Sequence, residues 1–184
     1  MTYILITHIK RKYKNIYAIS DSNDTISFPT ILNQLENIIV VSYEQLNKQN
    51  HKITELSNIL SVLLEDRLLC DSKTCCKLFY EYMSQVTDHI HEIDSNLYLD
   101  LLKHPSQDIN NIANNFMSGS QEIKRIMNRY ERRWCNKKKQ TLTIGAKHER
   151  FLGETNEMFD MILNRVQNEM EHLYPTVRQI QGDA

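Results

Sequence analysis

Residues 76–97 read CKLFYEYMSQVTDHIHEIDSNL. Within this stretch Cys76, Phe79, Met83, Val86, Ile90, Ile93 and Leu97 recur at alternating spacings of three and four. On a helix of ~3.6 residues per turn that rhythm aligns them in one apolar stripe, the seam of a helix packed nearly parallel to its neighbours. Asp71 or Ser72 offers a side-chain oxygen to cap its start, and His104-Pro105 stops it. The predicted helix is roughly 45 Å long at ~1.5 Å per residue.

The surrounding sequence agrees. The 184 residues contain only four Gly and three Pro, and none of either lies between Thr30 and His104. Hairpin-rich folds and phosphate-cradling loops consume those residues, because they need positive or fixed φ angles. The expected fold class is therefore all-α, an up-down four-helix bundle with an extra N-terminal segment. Ser27-Phe28-Pro29 opens a helical pattern through Ile31, Leu35, Ile38 and Ile39, and Ile53, Leu56, Leu60 and Leu63 mark a bundle helix over about 51–68. A third helix is predicted from about Gln107 to Trp134, with a kink near Ser118-Gly119-Ser120. A polar connection, Asn136 to Gly145, leads to a fourth helix that begins near Lys147. It uses Leu152, Phe159, Ile162, Leu163, Val166, Met170 and Leu173 and is expected to stop at Pro175. Residues 1–27 read as a peripheral arm, 28–177 as the bundle and 178–184 as a tail.

Twenty-two Lys and Arg balance twenty-three Asp and Glu, so no global field draws the chain to nucleic acid, which is not an expected partner. Two basic clusters stand out locally: His8 to Lys14, and Arg129, Arg132, Arg133 and Lys137 to Lys139 around the single tryptophan, Trp134. The second could stack and neutralise phosphates, or could serve a helix C-terminus through the macrodipole. Cys70, Cys75, Cys76 and Cys135 show no CxxC spacing, a reduced pattern that points to a cytoplasmic protein. No run approaches the ~18 apolar residues of a membrane span. Nucleotide-loop, zinc-protease and nucleophile-elbow motifs are all missing from the sequence, so an enzyme is not expected.

Two helix endings match one another. His89-Ile-His91-Glu92-Ile-Asp94-Ser-Asn-Leu97-Tyr98 lies against Arg165-Val-Gln-Asn-Glu169-Met-Glu171-His172-Leu173-Tyr174-Pro175. Each runs from a histidine or cation through carboxylates to Leu-Tyr. Over about residues 50–177 the chain resembles the hemerythrin-like family of HHE cation-binding domains. The resemblance implies a non-haem di-iron centre between helices and binding of oxygen, nitric oxide or a redox signal. His89, Asp94, Glu169 and His51 are the ligands it implies. The chain departs from the pattern at Ile93, where a Glu is expected, and at Arg165, where a His is expected; a guanidinium stays protonated and cannot ligate a metal. On a helical wheel His89 and Asp94 stand about 140° apart, on opposite borders of the stripe.

Taken alone, Arg165 and Glu169, four residues apart, read as a helix-surface ion pair. The chain also resembles the regulator-of-sigma-D family through its helix order and Leu32-Asn33-Gln34-Leu35-Glu36-Asn37. That second resemblance implies a metal-free cytoplasmic bundle whose partner is a protein, with the N-terminal arm as a plausible contact. On that reading the bundle carries no iron.

Overall fold

The computed structural model describes the backbone of residues 28–181 and the side-chain surroundings of residues 44–98 and 101–180. The predicted arm, its basic run His8 to Lys14 and the last three residues of the tail lie outside the described residues. The chain divides into two compact units, Met1–Val41 and Ser42–Ala184; every side-chain contact below lies within the second.

The fold is all-α apart from one short hairpin. Helix α1, Phe28–Glu65, runs without interruption through the polar stretch Asn47 to Asn50, since no Gly or Pro breaks it. Asp66 then accepts from Leu68 N and starts the single turn α2, Arg67–Cys70. Of the two caps expected for α3, Lys73–Asn96, Ser72 serves: its hydroxyl accepts from Cys75 N at 3.1 Å. Helix α3 ends earlier than predicted, and α4, Tyr98–Leu101, follows as a separate turn. Helix α5, Gln107–Trp134, runs continuously through Gly119, where the sequence suggested an interruption or kink.

The connection after α5 is more ordered than its polar composition suggested. β1, Cys135–Asn136, pairs antiparallel with β2, Thr141–Leu142, in the register Cys135 to Leu142 and Asn136 to Thr141. Gly145 has φ +56°, a conformation that L side chains resist, and turns the chain into α6, His148–Asn168. Pro175 does not stop the fourth helix. Glu169–Leu173 forms a π turn in which Tyr174 N–H reaches the Glu169 carbonyl, and α7, Tyr174–Gln181, continues through the proline. A proline in a regular helix collides with the carbonyl four residues back; here the widened turn comes directly before the ring. The same turn leaves Met170, expected in the core, 41% exposed.

Cross-helix pairs fix the directions of the long helices. Lys52 meets Glu81 while Gln49 meets His89, so α1 and α3 run antiparallel. Asp94 meets Lys124 while Tyr80 meets Thr141, just beyond α5, and α5 is antiparallel to α3. Arg165 meets Ser120 while Glu154 meets Trp134, which makes α6 antiparallel to α5.

Two apolar clusters form the core. The larger gathers Leu56, Leu60, Phe79, Tyr82, Tyr130, Trp134, Phe151 and Phe159 with their neighbours. The smaller holds Leu46, Ile93, Tyr98, Leu101, Ala113, Leu173 and Tyr174. Six of the seven residues in the α3 stripe are buried and the seventh, Leu97, is partly so. Among the described residues no helix is long and apolar enough to cross a membrane.

Candidate functional site

Between the two clusters each long helix buries a polar side chain in or beside its apolar stripe. Asn50 falls between Leu46 and Ile53 on α1, and His89 between Val86 and Ile93 on α3. Ser120 falls between Ala113 and Ile123 on α5, and Glu169 between Val166 and Leu173 at the end of α6. All four are buried, Glu169 completely. Buried polar groups are costly unless hydrogen-bonded, and a buried carboxylate demands compensating charge.

Arg165, one helical turn before Glu169, supplies that charge. Its Nε donates to Glu169 Oε1 at 2.5 Å. Nη1 donates to the Phe116 carbonyl at 2.8 Å, and Nη2 donates to Ser120 Oγ at 3.1 Å and to the Tyr98 hydroxyl. The guanidinium carbon also lies 4.6 Å from the centre of the Phe116 ring, within cation–π range. The pair expected on the helix surface is thus an interior one, with side chains 11% and 1% exposed. The long Arg165 side chain carries the charge inward to the Phe116 carbonyl and the Ser120 hydroxyl on α5.

That path exists because residue 119 is a glycine. A Cβ on Gly119 would stand 2.8 Å from Arg165 Nη1, too close for either to stay in place. The Ser-Gly-Ser segment that suggested a kink is instead a shelf for the guanidinium.

The second Glu169 oxygen, Oε2, accepts from His89 Nε2 at 2.7 Å. A carboxylate can only accept, which fixes a proton on Nε2. Nδ1 faces Gln49 Oε1 at 3.1 Å. The Gln49 amide offers an acceptor on one side and a donor on the other, so it can satisfy Nδ1 with or without a proton. Burial pushes the Tyr98 phenol up, against the opposing pull of the Arg165 charge, and the group stays a neutral hydroxyl within the layer. The π turn brings Tyr174 inward as well: its hydroxyl accepts from Asn50 Nδ2 at 3.0 Å.

The four ligands implied by the resemblance therefore have separate fates. His89 and Glu169 meet directly. Asp94 turns to Lys124 on α5, and His51 is exposed on α1. Among the described residues no three His, Cys, Asp or Glu side chains are grouped so as to hold a metal ion. The chemistry of the donor set agrees: both Glu169 oxygens are engaged by protonated nitrogens, and a guanidinium sits where a further donor would be required. The residues present do not fit a di-iron centre. Gln49 and Tyr98 had no part in the sequence reading of the site, and Arg165 entered it only as a lost ligand and as half of a surface ion pair; a polar residue in a stripe position was a usable signal for Ser120.

A second buried polar link lies deeper in the larger cluster. Tyr130 donates to Thr155 Oγ1 at 2.5 Å, and Thr155 donates onward to the Phe151 carbonyl at 2.6 Å. Trp134, which the sequence offered as one possible stacking surface, is 2% exposed and donates to Glu154 Oε2 at 2.8 Å. Compared with protein-family models, curated protein sequences and solved structures, the chain matches none.

Proposed function

We propose that this chain is a metal-free up-down four-helix bundle that acts by binding a protein partner, the second of the two functions its sequence suggested. The observation that carries this reading is the closure of the Glu169 carboxylate by Arg165 and His89. Charge compensation that a hemerythrin-like site draws from a metal is supplied here from within the chain. The layer works as an internal key: a helix that slipped by one turn would strand a buried charge, so the layer selects one register of the four helices. A protein with its interior committed in this way acts through its surface.

Metal analysis after anaerobic reconstitution with ferrous iron tests the reading. The expected result is far less than one iron per chain and no oxo-bridged absorption band. Stoichiometric iron with that band would overturn it in favour of the iron-binding function. Affinity isolation from the native cell, followed by reconstitution of the recovered protein with purified chain, is expected to give a complex of defined stoichiometry; recovery of no partner that reconstitutes would refute partner binding.

A further inference from the structure

Helix α5 carries a second feature that the buried layer does not use. Arg125, Arg129, Arg132 and Arg133 lie within about 100° of its circumference and within ~12 Å along its axis. All four are exposed. They alone line a surface depression of about 580 Å³, and Arg132 also borders an adjoining one of about 680 Å³ with Lys137 and Lys138. Arg125 is paired with Glu122, Arg133 with Glu154 and Lys137 with Glu131. Arg129, Arg132, Lys138 and Lys139 make no ion pair among the described residues.

Helix stability does not account for this arrangement. Cations favour the C-terminal turn, which covers Arg132 and Arg133, but the dipole's effect fades within that turn and does not reach Arg125 or Arg129. Like charges four apart, Arg125 with Arg129 and Arg129 with Arg133, destabilise a helix. A convergent set of forked guanidiniums is instead suited to planar carboxylates, which it grips in pairs of parallel hydrogen bonds.

From this geometry we infer that the arginine face of α5 is the docking surface for an acidic helix of the partner protein. The inference rests on the partner-binding function proposed above. Arg125, Arg129 and Arg132 stand at i, i+4 and i+7, the spacing with which carboxylates at i, i+3 and i+7 of a facing helix would align. Two properties favour a helix over a nucleic-acid strand. Glu122 closes the stripe at its N-terminal end, leaving two turns of basic surface and not a long phosphate track. The two aromatics within the cluster, Tyr130 and Trp134, are both turned into the core, so bases have neither to stack on.

Fluorescence anisotropy of the full chain with three labelled probes tests the surface. The probes are an alanine-rich helical peptide with glutamates in the i, i+3, i+7 pattern, its glutamine analogue, and a short DNA duplex. The expected result is binding of the glutamate peptide that weakens as salt rises, none of the glutamine analogue, and a weaker response to the duplex. R129E/R132E, on exposed positions, should retain helicity by circular dichroism and lose affinity by at least about tenfold, while R129K/R132K should fall between. No binding of the glutamate peptide at low salt, tighter binding of the duplex, or unchanged binding by R129E/R132E would overturn the inference. If R129E/R132E still captures the native partner as well as the wild type does, the surface assignment fails while partner binding stands. If the wild type captures none, the functional reading itself fails.

Discussion

Replacing Arg165 with methionine would isolate the most heavily committed charge in the molecule. Methionine keeps the apolar contact with Phe116 but removes every hydrogen bond the guanidinium makes: to Glu169, the Phe116 carbonyl, Tyr98 and Ser120. Glu169, 0% exposed, would keep only His89. Removing one partner of a buried ion pair costs about 3–5 kcal/mol, because the other charge stays buried without compensation. At roughly 2–4 °C per kcal/mol for a chain of this size, the melting temperature should fall by about 10 °C or more. Urea unfolding followed by circular dichroism measures the loss directly. R165M/E169L removes the stranded charge as well, and it should recover most of the stability, since apolar replacements of buried ion pairs are often neutral or better. A loss below about 1 kcal/mol in R165M, or a double variant no more stable than the single one, would refute the claim that these residues form one interdependent layer.

Three further outcomes follow from the same geometry. Glycine to alanine inside a helix normally gains about 1 kcal/mol, but G119A should destabilise the protein by a similar amount, because its Cβ displaces the guanidinium; in an R165M background the same change should become stabilising. The Glu154 carboxyl is held below its ordinary range: burial would raise it, but hydrogen bonds from Trp134, Arg150 and Arg133 together prevail. A depressed carboxylate stabilises the fold above its unfolded pKa of ~4.3 and loses that contribution as pH falls through the folded value, so Trp134 emission should hold constant at neutral pH and change only under acid conditions; a change between pH ~6 and ~7 would contradict it. Burial pushes the thiols of Cys75 and Cys135 up to about 12, helped by neighbouring thiols at Cys75 and by Glu131 at Cys135. Cys75, which is also buried, should therefore react with a disulfide reagent only as fast as the protein unfolds, as checked by rates across a urea series.

Much of the fold was legible because burial repeats along a helix. The α3 stripe needed only the spacing of its apolar residues, and the same rule located α5 and α6. The misplaced details share a different cause. Met170 and Pro175 were assigned by assuming a regular helix, and the π turn changes the phase that assumption depends on. Gly119 suggested a kink because flexibility is a local property, while its use as a shelf depends on a side chain from another helix. In the buried layer, the paired helix endings singled out His89 and Glu169 as candidates but aligned His89 with Arg165, so the contact between the two was not visible there. Arg165 was not recognised as interior, since a wheel plots where a side chain leaves the helix and not where its charged end arrives. Gln49 and Tyr98 became part of the layer only through packing.

The π turn at Glu169–Leu173 makes the site sensitive to helical winding as well as residue identity. A widened turn is a one-residue insertion absorbed within a helix. Making the segment a regular α-helix with no residue removed would change no side chain of the layer. Everything downstream would then turn by about 100°, carrying the Tyr174 hydroxyl away from Asn50 and the α7 face away from the smaller apolar cluster. Sequences of this kind would preserve His89, Arg165 and Glu169 and still fail to close the interior, so the widened turn between Glu169 and Tyr174 is itself part of the specification.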